Sequence, residues 1–276
     1  DGKNGNIINN TKIKADGNQN YGIYTAGAAS NFAEIDLTNG VGNVGIYSTG
    51  QNLAENYATI KVGASKVPEK LYSIGMAAGY YDKDNNVSVY TGKIENANTG
   101  KIEVTGKNGI GMYASGSGSK VINKATGVIN LSGDSTIGMY LDDYAVGENY
   151  GTIQTTASGN GIKGVVAKNG GIIKNYGTIN IVGGSNTGVY TNTASAYQEH
   201  GTNNSTNKSS VGTAVSRTVA EKLVVKVPAH PSPVSIPIPA VIAESLGDNA
   251  NIDLPQVSGG NNHTNKSSIE MYVDTS

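Results

Sequence analysis

The chain has 276 residues, a formal net charge of −1, 15% charged residues, 38 glycines, 16 tyrosines, one phenylalanine, and neither cysteine nor tryptophan. Nineteen lysines and one arginine against 21 acids leave no basic stripe, which argues against a nucleic-acid partner. No segment approaches the ~18 apolar residues of a membrane helix, and without cysteine the fold rests on its core and hydrogen bonds rather than on disulfides.

Two short motifs alternate along the chain. Asn149-Tyr150-Gly151-Thr152-Ile153 returns 26 residues later as Asn175-Tyr176-Gly177-Thr178-Ile179, with a looser copy at Asn56-Tyr57-Ala58-Thr59-Ile60. Aligned on the closing isoleucine, the first ladder runs through Ile13, Ile35, Ile60, Ile102, Ile129, Ile153 and Ile179. Aligned on its glycine, the second motif, Gly-(Ile/Met/Val)-Tyr in its best copies, runs through Gly22, Gly45, Gly75, Gly111, Gly138, Gly164 and Gly188. A period of ~25 residues signals stacked supersecondary units. Both ladders place one excess between Ile60 and Ile102, which predicts loops over residues 64–72 and 80–89; the second contains the turn-rich run Asp82-Lys83-Asp84-Asn85-Asn86.

Within each repeat, segments such as Thr178-Ile179-Asn180-Ile181-Val182 alternate with period two and are bounded by Gly, Asn, Ser and Thr. No helical stripe bridges them. The expected fold is all-β: a right-handed parallel β-helix with about 25 residues per coil, each coil ~4.8 Å from the last. Period-two alternation across Ile110-Gly111-Met112-Tyr113 assigns Ile110 and Met112 to the core and Gly111 and Tyr113 to the outside. Tyr24, Tyr47, Tyr113, Tyr140 and Tyr190 then form an outward row, interrupted by Ala77 and Val166. Such a row can bind a partner or simply brace adjacent strands. The ladder Asn9, Asn31, Asn56, Asn96, Asn123, Asn149 and Asn175 is expected to stack its amides from coil to coil at a turn.

The repeats stop being legible after Thr193. Residues 1–193 are assigned to the β-helix, 194–262 to an inserted β-hairpin-like protrusion rich in proline, and 263–276 to a resumed coil, since Ile269-Glu270-Met271-Tyr272 matches Ile137-Gly138-Met139-Tyr140 apart from the glutamate. Asn203-Asn204-Ser205-Thr206-Asn207-Lys208-Ser209-Ser210 recurs, with His263 for Ser205, at 261–268; both runs are read as loops bordering the protrusion. Its two apolar stretches, 222–227 and 234–242, are joined by a Pro-rich connection carrying His230. They are expected to pair, leaving Val234, Ile236, Ile238 and Val241 as an exposed edge for a partner.

Catalytic and metal chemistry find little support. The only arginine is Arg217, outside the coils, although acidic sugars favour bidentate arginine. The acidic pairs Glu34 with Asp36 and Asp142 with Asp143 fall at turns, where solvated corners explain them. Asp82-Lys83-Asp84-Asn85-Asn86 begins like a calcium loop but has Val87 where glycine is needed and Lys93 where a glutamate should close it. His200, His230 and His263 lack ligand spacing. No cofactor, no metal site and no enzymatic activity are expected.

The Asn-Tyr-Gly-Thr-Ile copies, the Gly-(Ile/Met/Val)-Tyr copies and the ending Met271-Tyr272-Val273-Asp274-Thr275-Ser276 resemble the passenger domains of fusobacterial RadD-like autotransporter adhesins, a group of type V secreted proteins. The resemblance implies a cell-surface or secreted location, anchoring through a C-terminal barrel outside this sequence, and attachment to a protein or glycan on host cells or other bacteria. A monomeric chain is expected. A purely structural stalk holding a distal tip is the alternative, and a β-helical polysaccharide lyase or hydrolase a weaker one.

Overall fold

The structure is a computed structural model that describes residues 5–82, 87–192, 196–212, 232–237 and 251–256. The chain divides into two compact units, residues 1–226 and 227–276.

The first unit is a parallel β-solenoid with ~26 residues per turn, its strands gathered into three eight-stranded sheets. One sheet carries the asparagine ladder: Asn6–Asn9, Ala28–Asn31, Leu53–Asn56, Lys93–Asn96, Lys120–Asn123, Val146–Asn149, Ile172–Asn175 and Ala196–Glu199. The second carries the isoleucines, from Ile13–Lys14 to Thr202–Asn203, and the third the glycines, from Tyr21–Thr25 to Asn207–Val211. The isoleucines stack as expected, in the register Ile60↔Ile102↔Ile129↔Ile153↔Ile179. The core is a single column of aliphatic side chains from all three sheets, including Ala54, Ile102, Met112, Val121, Ile129, Met139 and Ile153, each 0% exposed.

The asparagine side chains form a buried amide chain through successive coils. Each Nδ2 donates to the next Oδ1, Asn9 to Asn31 at 2.7 Å, Asn31 to Asn56 at 2.9 Å, Asn56 to Asn96 at 3.0 Å, Asn96 to Asn123 at 2.9 Å, and Asn123 to Asn149 and Asn149 to Asn175 at 2.8 Å. These residues are 0–2% exposed. A side chain with both a donor and an acceptor is what an unbroken one-way chain requires, and burial makes each missing link costly.

Strict alternation fails in the glycine sheet. The register pairs Ile110↔Ile137, Met112↔Met139 and Tyr113↔Tyr140 but skips Gly111 and Gly138. Met112 and Ala114 belong to the core, whereas Ile110, although 2% exposed, does not. The strand therefore kinks at the glycine, which faces inward, and Ile110 joins Tyr113 on the outer side. This corrects the expectation that Ile110 and Met112 share one face and Gly111 and Tyr113 the other. The two ladders seen in the sequence are one physical contact. A Cβ built on Gly22, Gly45, Gly75, Gly111, Gly138 or Gly164 would lie 2.5–2.9 Å from Cγ2 of Ile35, Ile60, Ile102, Ile129, Ile153 or Ile179 respectively. It would also strike the carbonyl of the next glycine in the ladder.

Both predicted loops are excursions from the coil. Residues 64–72 contain a one-turn 3₁₀ helix, Val67–Glu69, closed by a bridge between Lys66 and Leu71. At the second, Tyr80–Asp82 pairs antiparallel with Val87–Tyr90.

The coil does not stop at residue 193. Ala196–Glu199, Thr202–Asn203 and Asn207–Val211 pair in register with the preceding coil, so the expected boundary at 194 is too early and residues 203–210 are part of a coil rather than a bordering loop. The second unit contains an antiparallel pair, Ser232–Pro237 against Asn251–Gln256. Its described ladder joins Val234 to Leu254 and Ile236 to Ile252. This strand thus has a partner downstream. Residues 222–227 and the expected resumption at 263–276 lie outside the described residues.

Candidate interaction surfaces

The tyrosine row does not form an exposed platform. Tyr47 is 0%, Tyr113 1% and Tyr140 7% exposed, and Tyr24 and Tyr190 are half-buried. The kink at each glycine puts the preceding residue on the outer side, so Val44, Ile74 and Ile110, all 0–2% exposed, share that side with the tyrosines. The rings also pack together. Tyr21 stacks on Tyr47 at 6.1 Å, Tyr24 meets Tyr47 edge-on at 5.8 Å, and Tyr113 meets Tyr140 at 5.8 Å. The Tyr47 hydroxyl donates to the Gly79 carbonyl at 2.8 Å, and burial holds its pKa well above that of a free tyrosine. For Tyr113 burial acts in the same direction, reinforced by the negative charge of Asp142.

Exposed aromatics occur elsewhere, immediately after the asparagine ladder. Phe32 stacks on Tyr57 with centroids 4.9 Å apart, Tyr150 on Tyr176 at 4.8 Å, and Tyr176 on His200 at 4.9 Å. Phe32 is 52% exposed and Tyr150 and Tyr176 are each 40%. Their spacing equals the coil rise, so the rings lie face to face and present edges to solvent. That geometry braces adjacent coils, and edges rather than faces are a poor bed for a sugar ring. The motif contained this signal, since the tyrosine of Asn-Tyr-Gly-Thr-Ile is the exposed one.

The acidic pairs are engaged in structure. Glu34 is bracketed at 2.7 Å by both Lys12 and Lys61, which join three coils and lower its pKa to about 2, through hydrogen bonding first and charge second. Asp142 and Asp143 are not solvated corners: they are 0% and 4% exposed. Oδ1 of Asp142 accepts from Asn169 Nδ2 at 2.6 Å and from the Asp143 backbone N–H at 2.8 Å. This arrangement locks a turn in which Asp143 and Tyr144 have φ of 48° and 64°, left-handed values that non-glycine residues adopt only when held. Lys163 and Lys168 each lie 5.9 Å from the Tyr190 ring centroid, and partial burial with the charge of Lys168 lowers the Lys163 pKa. Among the described residues no group of three or more His, Cys, Asp or Glu side chains is placed to hold a metal ion.

Of the residues assigned to the protrusion, Val234 and Ile236 lie in the strand Ser232–Pro237. His230, Ile238 and Val241 lie outside the described residues. The exposed apolar positions of the first unit include Val89 at 46% and Tyr90 at 42%, on the second strand of the Tyr80–Tyr90 hairpin.

Residues 25–149 match the family model described as the BigA third pectate lyase-like domain, which covers less than half of the chain and falls wholly within the solenoid. No curated protein and no solved structure matches. The chain is therefore similar, over those coils, to a pectate lyase-like β-helix domain, a class in which the solenoid is a scaffold and the chemistry belongs to whatever its faces and excursions carry.

Proposed function

We propose that this chain is a segment of a bacterial surface adhesin, exported and displayed as the passenger of a RadD-like type V system, with the solenoid as a rigid stalk and its excursions as contact elements. The carrying observation is the match of residues 25–149 to a BigA domain, which suggests a surface protein of adhesin type. The construction supports the reading. One amide chain and one glycine–isoleucine contact repeat through the coils, which gives a long surface at small cost in sequence variety. Two of the exposed large apolar side chains among the described residues, Val89 and Tyr90, stand on an excursion, the Tyr80–Tyr90 hairpin. The partner is a protein or glycan of a host cell or another bacterium.

A non-enzymatic role is part of the proposal. Glu34 is held ionised between two lysines and Asp142 is committed to a turn, so neither is disposed as a general acid.

The test is binding of the purified chain to epithelial and bacterial cells, compared with a variant in which residues 80–90 are replaced by a short Gly/Ser link and another that ends after Gly212. Loss of binding in either variant, with the far-UV signal of the β-helix retained, locates the contact. Absence of binding by the intact chain would refute the adhesive reading for this segment and leave the stalk.

A further inference from the structure

The last described coil, residues 196–212, differs from every coil before it at the same structural positions. Glu199 stands in register with Asn175, Asn203 with Ile179, Ser209 with Val189 and Ser210 with Tyr190. Between the pairs Thr187↔Asn207 and Val189↔Ser209, Lys208 takes the place of Gly188. Each change replaces a group suited to having a neighbour on both sides with one suited to a single neighbour.

Asparagine passes the amide chain on because it accepts on one side and donates on the other. Glu199 only accepts: Oε1 takes Asn175 Nδ2 at 2.7 Å and the Gly201 N–H at 3.0 Å, and Oε2 takes the Tyr197 hydroxyl. A carboxylate therefore ends the chain without leaving a donor unpaired. Asn203 turns inward to its own coil, donating to the Lys208 carbonyl at 2.9 Å. Ser205, 5% exposed, accepts the Ile181 N–H at 3.1 Å. Tyr197, in register with the core residue Ile173, packs against the end of the core, closing it with an apolar ring whose hydroxyl is already satisfied. The glycine rule is lifted as well, because among the described residues no later strand pairs with Asn207–Val211 and no following carbonyl meets a side chain at 208. Asn207, Lys208, Ser209 and Val211 are all exposed, Val211 at 68%.

We propose that residues 196–212 are a terminating coil that closes this end of the solenoid against stacking of a further β-coil, whether from the same chain or from a second copy. Among the described residues the three sheets end at this coil, and a sheet edge is the arrangement most prone to edge-to-edge association. The polar substitutions are what keep it from pairing, as capping repeats do in solenoids generally.

The test turns on the sign of the effect. In the double variant Glu199→Asn, Asn203→Ile, the consensus residues of an interior coil are restored. If the coil is terminal, the new amide has no acceptor and the new isoleucine, in register with Ile179, has no neighbour on its far side. The chain is then expected to show an unchanged or lower Tm together with a molar mass, by light scattering during size-exclusion chromatography, that rises with concentration while the parent remains monomeric. If another coil, such as the run at 269–273, in fact stacks on this one, the same variant would extend both ladders, and a raised Tm at constant monomeric mass would overturn the proposal. Lys208→Gly gives a second readout should the double variant fold poorly. A terminal position predicts a loss on the order of 2 °C from the added backbone freedom, and a gain would contradict it.

Discussion

Gly111→Ala should be among the most damaging single-methyl additions in this chain. A Cβ at this position lies 2.6 Å from the Gly138 carbonyl oxygen and 2.8 Å from Ile129 Cγ2, against an ordinary contact of 3.4–4 Å. The carbonyl belongs to the next strand of the sheet and cannot give way without disturbing its pairing. Overpacking of a tight core costs typically about 1–3 kcal/mol, and two simultaneous contacts place this case at or above the upper end. Alanine also reduces the freedom of the unfolded chain, which returns about 0.4–1 kcal/mol. The net expectation is a destabilisation of about 2–3 kcal/mol. Gly184→Ala is the matched control, because a Cβ there meets nothing within 4 Å. It should be neutral or stabilising by up to about 1 kcal/mol through the unfolded state alone. Urea denaturation followed by far-UV circular dichroism measures both. Ile129→Ala alone should cost about 2–5 kcal/mol as a core truncation, and less than that in the Gly111→Ala background, since it removes one of the two clashes, giving a favourable coupling in the double-mutant cycle. Equal midpoints for the two alanine variants, or a cycle with no coupling, would refute the claim that glycine is required here by the isoleucine and the adjacent backbone.

Asn123→Ala removes one link on each side of the buried amide chain and should cost about 2–4 kcal/mol, from the loss of two partnered buried groups, measurable as a shifted urea midpoint. Glu34 has a folded pKa of about 2 against an ordinary 4.5, so its contribution is complete above about pH 4.5 and is lost as the pH falls toward 2. Glu34→Gln should flatten the acid limb of the stability profile, and since the group is partly solvated the effect should be small and weaken with salt. The tyrosines run in the opposite sense: burial raises Tyr47 and Tyr113 well above 10, so their contribution is intact below about pH 10 and is lost progressively as the pH rises from there toward the folded pKa. An ultraviolet titration should show a subset of tyrosines ionising only with alkaline unfolding, and Tyr47→Phe should reduce that subset.

The repeat period and both excursions were legible because they are written in residues whose reasons are local. Isoleucine packs, asparagine bonds along the axis, and the Gly/Asn/Asp-rich runs mark where the chain leaves the coil. The orientation of the tyrosine row was not legible. Period-two alternation holds only for an extended strand, and nothing in Ile110-Gly111-Met112-Tyr113 announces that the glycine kinks it. The clue lay in pairing the two ladders, since a glycine kept free of a Cβ beside every isoleucine marks an inward contact. The coil at 196–212 escaped notice for a related reason. Each marker residue is replaced by a polar one, so the pattern that identifies a coil disappears where the solenoid has to stop, and Glu199, Asn203 and Lys208 resemble a loop. Much of the protrusion, which includes His230, Ile238 and Val241, is a matter of sequence alone.

The central claim is that residues far apart in sequence are stacked one coil rise apart. Asp36, Lys61, Glu103, Asn130, Gln154 and Asn180 occupy successive positions of one row. The chain has no native cysteine, so single spin labels can be placed at will. Pulsed electron–electron distances from a label at 180 to labels at 103, 61 and 36 are expected near 14, 19 and 24 Å, from a rise of ~4.8 Å per coil. The step from 103 to 61 should be one rise although the two positions are 42 residues apart in sequence. Distances that grow with sequence separation rather than with coil number would contradict the stacked solenoid outright.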